Sequence, residues 1–131
     1  MKDDIVLTKV DERGIAEVTL NRPERNNAYN GKMISELIKS FTSLYHNEAV
    51  RVVVIRGNGK HFQGGADLEW LKEIGQLNEE QNIEVSKNTA TAIRGLTEFP
   101  KPTIALIHGG CFGGGTGIAA AADIVLSLIH I

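Results

Sequence analysis

The sequence predicts an α/β domain, and three observations carry that prediction. Short β-branched or apolar runs occur at 52–55, 103–107 and 124–126, the pattern of strands inside a sheet. Between them lie stretches with apolar residues at helical spacing. Clusters of glycine join the strands to the helices that follow.

The elements follow in order. Ile5, Leu7 and Lys9 alternate with Val6, Thr8 and Val10, Asp11-Glu12-Arg13-Gly14 supplies a turn, and residues 15–20 return, so the chain opens on a β-hairpin. Residues 21–27 are polar, carry Pro23 and read as a loop. Asn30 is placed to cap a helix whose apolar face is Ile34, Leu37, Ile38, Phe41, Leu44 and Tyr45. Residues 52–55 then read as a strand buried on both faces. Gly57, Gly59, Gly64 and Gly65 mark a long loop. Asp67 is placed to cap a short helix that runs to Ile74 and is interrupted by Gly75. Asn78 with Glu79 and Glu80 starts another helix. Its weak apolar stripe is Ile83, Ala90, Ile93 and Leu96, and Pro100 and Pro102 end it. Residues 103–107 are a second buried strand. Beyond the glycines at 109–110 and 113–115, residues 118–122 predict a close-packed helix that Asp123 ends. Ile124-Val125-Leu126 begins a third buried strand, which runs on through Leu128-Ile129-His130-Ile131.

Bulk properties exclude several classes. The chain has 131 residues, the size of one domain. Hydrophobic residues make up 42% and charged residues 23%, a balance that supports a core rather than disorder. The net charge of -2 lacks the basic footprint of a general nucleic-acid binder. The single cysteine, Cys111, rules out an internal disulfide and points to a reducing compartment. No signal-peptide apolar region follows Met1-Lys2-Asp3-Asp4, and the longest apolar runs fall short of the ~20 residues that span a bilayer. A cytoplasmic protein with no membrane partner is expected. His46, His61 and His130 show no metal-ligand spacing, so no metal is expected either.

The glycine loops carry the chemistry. The first is His61-Phe62-Gln63-Gly64-Gly65-Ala66-Asp67-Leu68, and the second runs from His108 to Gly117. Without Cβ atoms, such a main chain can bring its N–H groups directly against an oxygen. A helix N-terminus adds unpaired donors and partial positive charge. Two facing loops could hold one oxygen between two N–H groups, an oxyanion hole. From spacing alone, that oxygen could belong to a phosphate, a carboxylate or an enolate.

Longer motifs narrow the choice. Asn21-Arg22-Pro23 with Asn27-Ala28 resembles the N-terminal signature of the enoyl-CoA hydratase/isomerase (crotonase) superfamily. Phe62 to Leu68 resembles its first oxyanion loop. Lys101-Pro102-Thr103-Ile104-Ala105, then Gly113-Gly114-Gly115, then Ala122-Asp123-Ile124 resembles its second. The resemblance implies the ClpP/crotonase spiral of ββα units. It implies that residues 1–131 are the N-terminal portion of a single such domain, stopping before the C-terminal helical part. Residues 127–131 do not continue like the family and are expected to be non-native.

The same resemblance assigns roles. The oxyanion donors fall on the N–H groups of Ala66 and Gly114. The main chain near Gly64 lies where the family binds the adenine of CoA, and Ala28 lies on the stretch that lines the CoA path. Asp67, Leu68, Gly113 and Gly117 complete the substrate-binding positions. Arg22, Arg25 and Lys60 are candidates for the CoA phosphates by charge alone. The partner is an acyl-CoA thioester, with no separate cofactor, and the parent assembly is a homotrimer or hexamer.

Adding water to a 2-enoyl thioester, or removing its α-proton, builds negative charge on the thioester oxygen. Two fixed N–H donors favour that enolate over the neutral carbonyl. A carboxylate must then move the protons. In two-glutamate hydratases one catalytic glutamate stands where this chain has Gly117, and the other lies beyond Ile131. The run from Gly65 to Leu71 resembles the hydratases of branched-chain catabolism, including methylglutaconyl-CoA hydratases. The alternatives are a non-catalytic acyl-CoA binder and an inactive fragment with exposed apolar surface.

Other readings fit less well. Either glycine loop alone could be a tight turn. Gly115-x-Gly117-x-x-Ala120 fits a dinucleotide fingerprint but leaves no room for the acidic ribose ligand. Thr116 stands where a phosphate-binding loop needs lysine. Cys111 and His108 read as a buried thiol and a loop histidine, and Asp67 and Asp123 as structural acids.

Overall fold

The computed structural model describes residues 4–128. β1 (Val6–Val10) and β2 (Ile15–Leu20) form the antiparallel hairpin. A single 3₁₀ turn at Pro23–Arg25 interrupts the loop after β2, a feature the polar sequence did not announce. α1 (Gly31–Tyr45), β3 (Val52–Gly57), α2 (Leu68–Ile74), α3 (Glu79–Thr97), β4 (Thr103–Ile107), α4 (Gly114–Ala121) and β5 (Ile124–Ser127) follow. The sheet order is β1-β2-β3-β4-β5, parallel from β2 onward. The expected run of the last strand beyond Leu128 lies outside the described residues.

The predicted caps form. Asn30 accepts from the Met33 N–H, and Asp67 from those of Glu69 and Trp70. Asn78 and Gln81 complete a reciprocal capping box at α3, which satisfies donors that a helix start leaves unpaired. α4 begins four residues before the alanine-rich segment, because Gly113 at φ 51° turns the chain straight into it.

One face of the sheet holds Ala16, Val18, Leu20, Val53, Ile55, Ala105 and Ile107, all buried. Met33, Leu37, Phe41 and Leu44 of α1 pack in the same core with Leu96 of α3 and Ile118 of α4. The opposite face is only partly covered. Val52 and Val54 are half-buried and Leu106 is exposed, so the strands expected to be buried on both faces are buried on one. β5 departs furthest: all four of its residues are exposed. It is an edge strand, bonded only to β4 among the described residues. Tyr45 and Ile83, placed on apolar stripes by their spacing, are also exposed, at 59% and 47%. In α3 the buried side chains are Ala92 and Leu96, whereas Ala90 faces solvent.

Candidate functional site

The two glycine loops are stitched together along their main chains. Phe62 N–H donates to the carbonyls of His108 and Gly110 (2.9 and 3.1 Å), Gln63 N–H donates to the Gly110 carbonyl (3.2 Å), and Phe112 N–H donates to the Gln63 carbonyl (3.0 Å). The next residues abut: a Cβ built on Gly113 would lie 3.6 Å from the Gly65 Cα. Ala66 and Gly114 each stand one residue further on. Among the described residues, neither the Ala66 N–H nor the Gly114 N–H has a protein acceptor, although their neighbours Gly65, Asp67 and Gly115 all do. Gly114 is also the first residue of α4, where an unpaired N–H is intrinsic to the helix start.

Tyr29 touches both loops and was not singled out by its sequence position. Its N–H donates to the Gly65 carbonyl and its carbonyl accepts from Asp67 N–H, at 2.9 and 2.8 Å, so it brackets Ala66. Its ring lies over Gly114. A Cβ there would collide with the ring edge and come within 3.0 Å of the phenolic oxygen. The ring in turn meets Trp70 edge-on, with centroids 5.7 Å apart.

Asn27 and Gln63 hold this arrangement from beneath, and both are fully buried. The Asn27 side-chain amide donates to the carbonyls of Asn58, His61 and Phe62. Its side-chain oxygen accepts from Arg22 N–H at 2.7 Å. The Gln63 amide donates to the Asn27 carbonyl (3.0 Å), and its oxygen accepts from Gly65 N–H (2.7 Å). The N-terminal motif and the first loop are therefore one hydrogen-bonded unit. Asp123 joins the two halves of the second motif: its carboxylate accepts from the Thr103 N–H, and its own N–H donates to the Thr103 hydroxyl.

The charged candidates divide. Arg22 is 15% exposed and pairs with Asp67 at 2.7 Å, while also donating to the Ala28 carbonyl. The Arg22 guanidinium beside Asp67 is the main cause holding that carboxyl below its ordinary range, against the opposing effect of burial. The role visible for both is thus internal, whereas Arg25 and Lys60 are exposed. Arg25 lies 3.6 Å from Glu69. Leu68 is 74% exposed, Ala28 is half-buried, and Gly64 runs against the Asn26 main chain. A Cβ on Gly117 would meet nothing within 4 Å, so the position that lacks a carboxylate has room for a side chain. Burial pushes the Cys111 thiol up, partly offset by a hydrogen bond with Thr116. That thiol is not an activated nucleophile. A groove of about 560 Å³ opens beside Arg56, Asn58, Leu106, His108 and Leu126, off the donor pair. No helix of the described residues is long and apolar enough to cross a membrane.

The sheet, parallel from β2 onward, with glycine loops leading into α2 and α4, has the crotonase fold of solved enoyl-CoA hydratases. The model of the enoyl-CoA hydratase/isomerase family matches residues 11–127, and the chain belongs to that family. An enoyl-CoA hydratase structure from Shewanella pealeana superposes with a TM-score of 0.92 at 33% identity, covering 95% of this chain and 46% of that one. A mitochondrial Delta(3,5)-Delta(2,4)-dienoyl-CoA isomerase from Mus musculus is 35% identical over 86% of this chain and 37% of its own length. A hydroxycinnamoyl-CoA hydratase-lyase from Pseudomonas fluorescens is 36% identical over 88% of this chain and 42% of its own. The chain spans less than half the length of these relatives.

Proposed function

We propose that this chain supplies the oxyanion hole of an enzyme acting on acyl-CoA thioesters, with hydration of a 2-enoyl-CoA as its reaction. The Ala66 and Gly114 N–H groups would share the thioester oxygen and stabilise the enolate formed when water adds. The observation that carries this reading is the pair of acceptor-free N–H groups on two abutting loops. Losing one such donor typically costs about 3 kcal/mol of transition-state stabilisation. Arg25 and Lys60 are the exposed cations left for the CoA phosphates. The carboxylate that moves the protons would come from outside this chain. Fatty-acid or branched-chain amino-acid degradation, a cytoplasmic location and a trimeric or hexameric assembly belong to the same proposal.

Crotonyl-CoA and a methylglutaconyl-CoA analogue, added to the full-length protein, test it by loss of the conjugated double bond. In parallel, a carbonyl-labelled thioester is followed by difference infrared spectroscopy. Turnover with a downshifted carbonyl band is expected; no turnover and an unshifted band would remove the reading. A second reading is favoured by one feature, the missing side chain at Gly117: a binder that polarises the thioester without converting it. A shifted band without turnover identifies that case.

A further inference from the structure

We infer that His61 is a positioning residue, whose Nδ1 atom fixes the Gly110 peptide and thereby seats the second glycine loop on the first. The inference deepens the proposed thioester site, because only three residues separate Gly110 from the Gly114 donor. Gly110 N–H donates to His61 Nδ1 at 2.7 Å. A ring nitrogen that accepts carries no proton, so His61 holds its proton on Nε2, an assignment made from the bonding pattern. The Gly110 carbonyl accepts from Phe62 and Gln63 N–H. Both ends of the Gly110 residue are thus held by residues 61–63.

The space around this contact explains the local sequence. A Cβ on Gly110 would collide with the Phe112 ring and come within 2.9 Å of His61 Nδ1. A Cβ on Gly109, which sits at φ 60°, would strike the Lys60 carbonyl. The loops can meet this closely only through glycine. His108 reciprocates, with Nε2 2.7 Å from the Gly59 carbonyl. The two histidines do opposite jobs: facing a carbonyl, His108 must donate, whereas His61 must accept. If the acceptor is lost, a part-buried N–H at Gly110 is left unpaired. Any side chain that keeps an acceptor at the same place should serve.

The test uses His61→Asn, whose Oδ1 stands where Nδ1 stood, and His61→Leu, which fills space without accepting. Amide hydrogen exchange at Gly110 and Phe112 is followed by NMR in the full-length protein. Exchange at Gly110 is expected to quicken at least about tenfold in His61→Leu and to return to near the parent rate in His61→Asn. In the unsubstituted protein, ring nitrogen shifts are expected to show the Nε2–H tautomer. An Nδ1–H tautomer, unchanged exchange in a folded His61→Leu, or an Asn variant no better than Leu would each overturn the inference. Rates with crotonyl-CoA are measured on the same proteins. Absence of turnover together with an unshifted carbonyl band counts against the thioester reading, while the exchange data still decide the role of His61.

Discussion

Replacing Asp67 separates the two tasks its carboxylate performs. It accepts from the first-turn N–H groups of α2 and pairs with Arg22 at 2.7 Å, in surroundings where both side chains are largely shielded from water. Asn caps a helix about as well as Asp, so Asp67→Asn removes mainly the charged pair. A hydrogen bond between charged partners contributes about 1.5–3 kcal/mol, and a loss of about 2 kcal/mol is expected. Asp67→Ala also removes the cap, typically worth another ~1 kcal/mol. The pair carries a pH dependence of defined sign. The folded Asp67 titrates below its ordinary 3.8, chiefly because of the Arg22 hydrogen bond. Its contribution is therefore complete above that value and is lost as the pH falls through the lower folded pKa. Urea unfolding at neutral and strongly acidic pH should show parent and Asp67→Asn well apart at pH 7 and converging in acid. Equal stability at pH 7, or a gap that persists undiminished in acid, would refute the assignment.

Two glycines of α4 should respond with opposite signs. Gly114→Ala pushes a methyl into the Tyr29 ring and should lower stability by about 1–3 kcal/mol; Gly117→Ala meets open space in a helix interior and should raise it by ~0.5–1 kcal/mol, both read from thermal melts. Asn27→Asp would face three carbonyl oxygens with a carboxylate where an amide now donates, and should lower the melting temperature by on the order of 10 °C. Because burial raises the Cys111 thiol pKa, that residue should alkylate with iodoacetamide at neutral pH more slowly than a free thiol, and faster only as the pH rises.

Much of the molecule is legible in local sequence. Asn30, Asp67 and Asn78 act as caps because a cap is decided within three or four residues. The glycine loops and the strands that precede them can be read for the same reason. Periodicity, however, reports only that a side chain prefers to leave water, not that a second layer exists to cover it. That is why Ile124, Val125 and Leu126, apolar as any core strand, lie exposed at the sheet edge, and why Tyr45 and Ile83 leave their stripes.

The amino-acid order alone settled the α/β class, the helix starts and the presence of two glycine loops, since each depends on backbone preferences of near neighbours. Only tertiary structure decided what the polar residues do. Asn27 reaches 35 positions along the chain to Phe62, and His61 reaches 49 to Gly110. The Tyr29 ring meets Gly114, far along the chain, in a fold where β3 and β4 pair in parallel. These contacts bond groups that are far apart in sequence, and a one-dimensional pattern holds no record of which buried polar atom will find which partner.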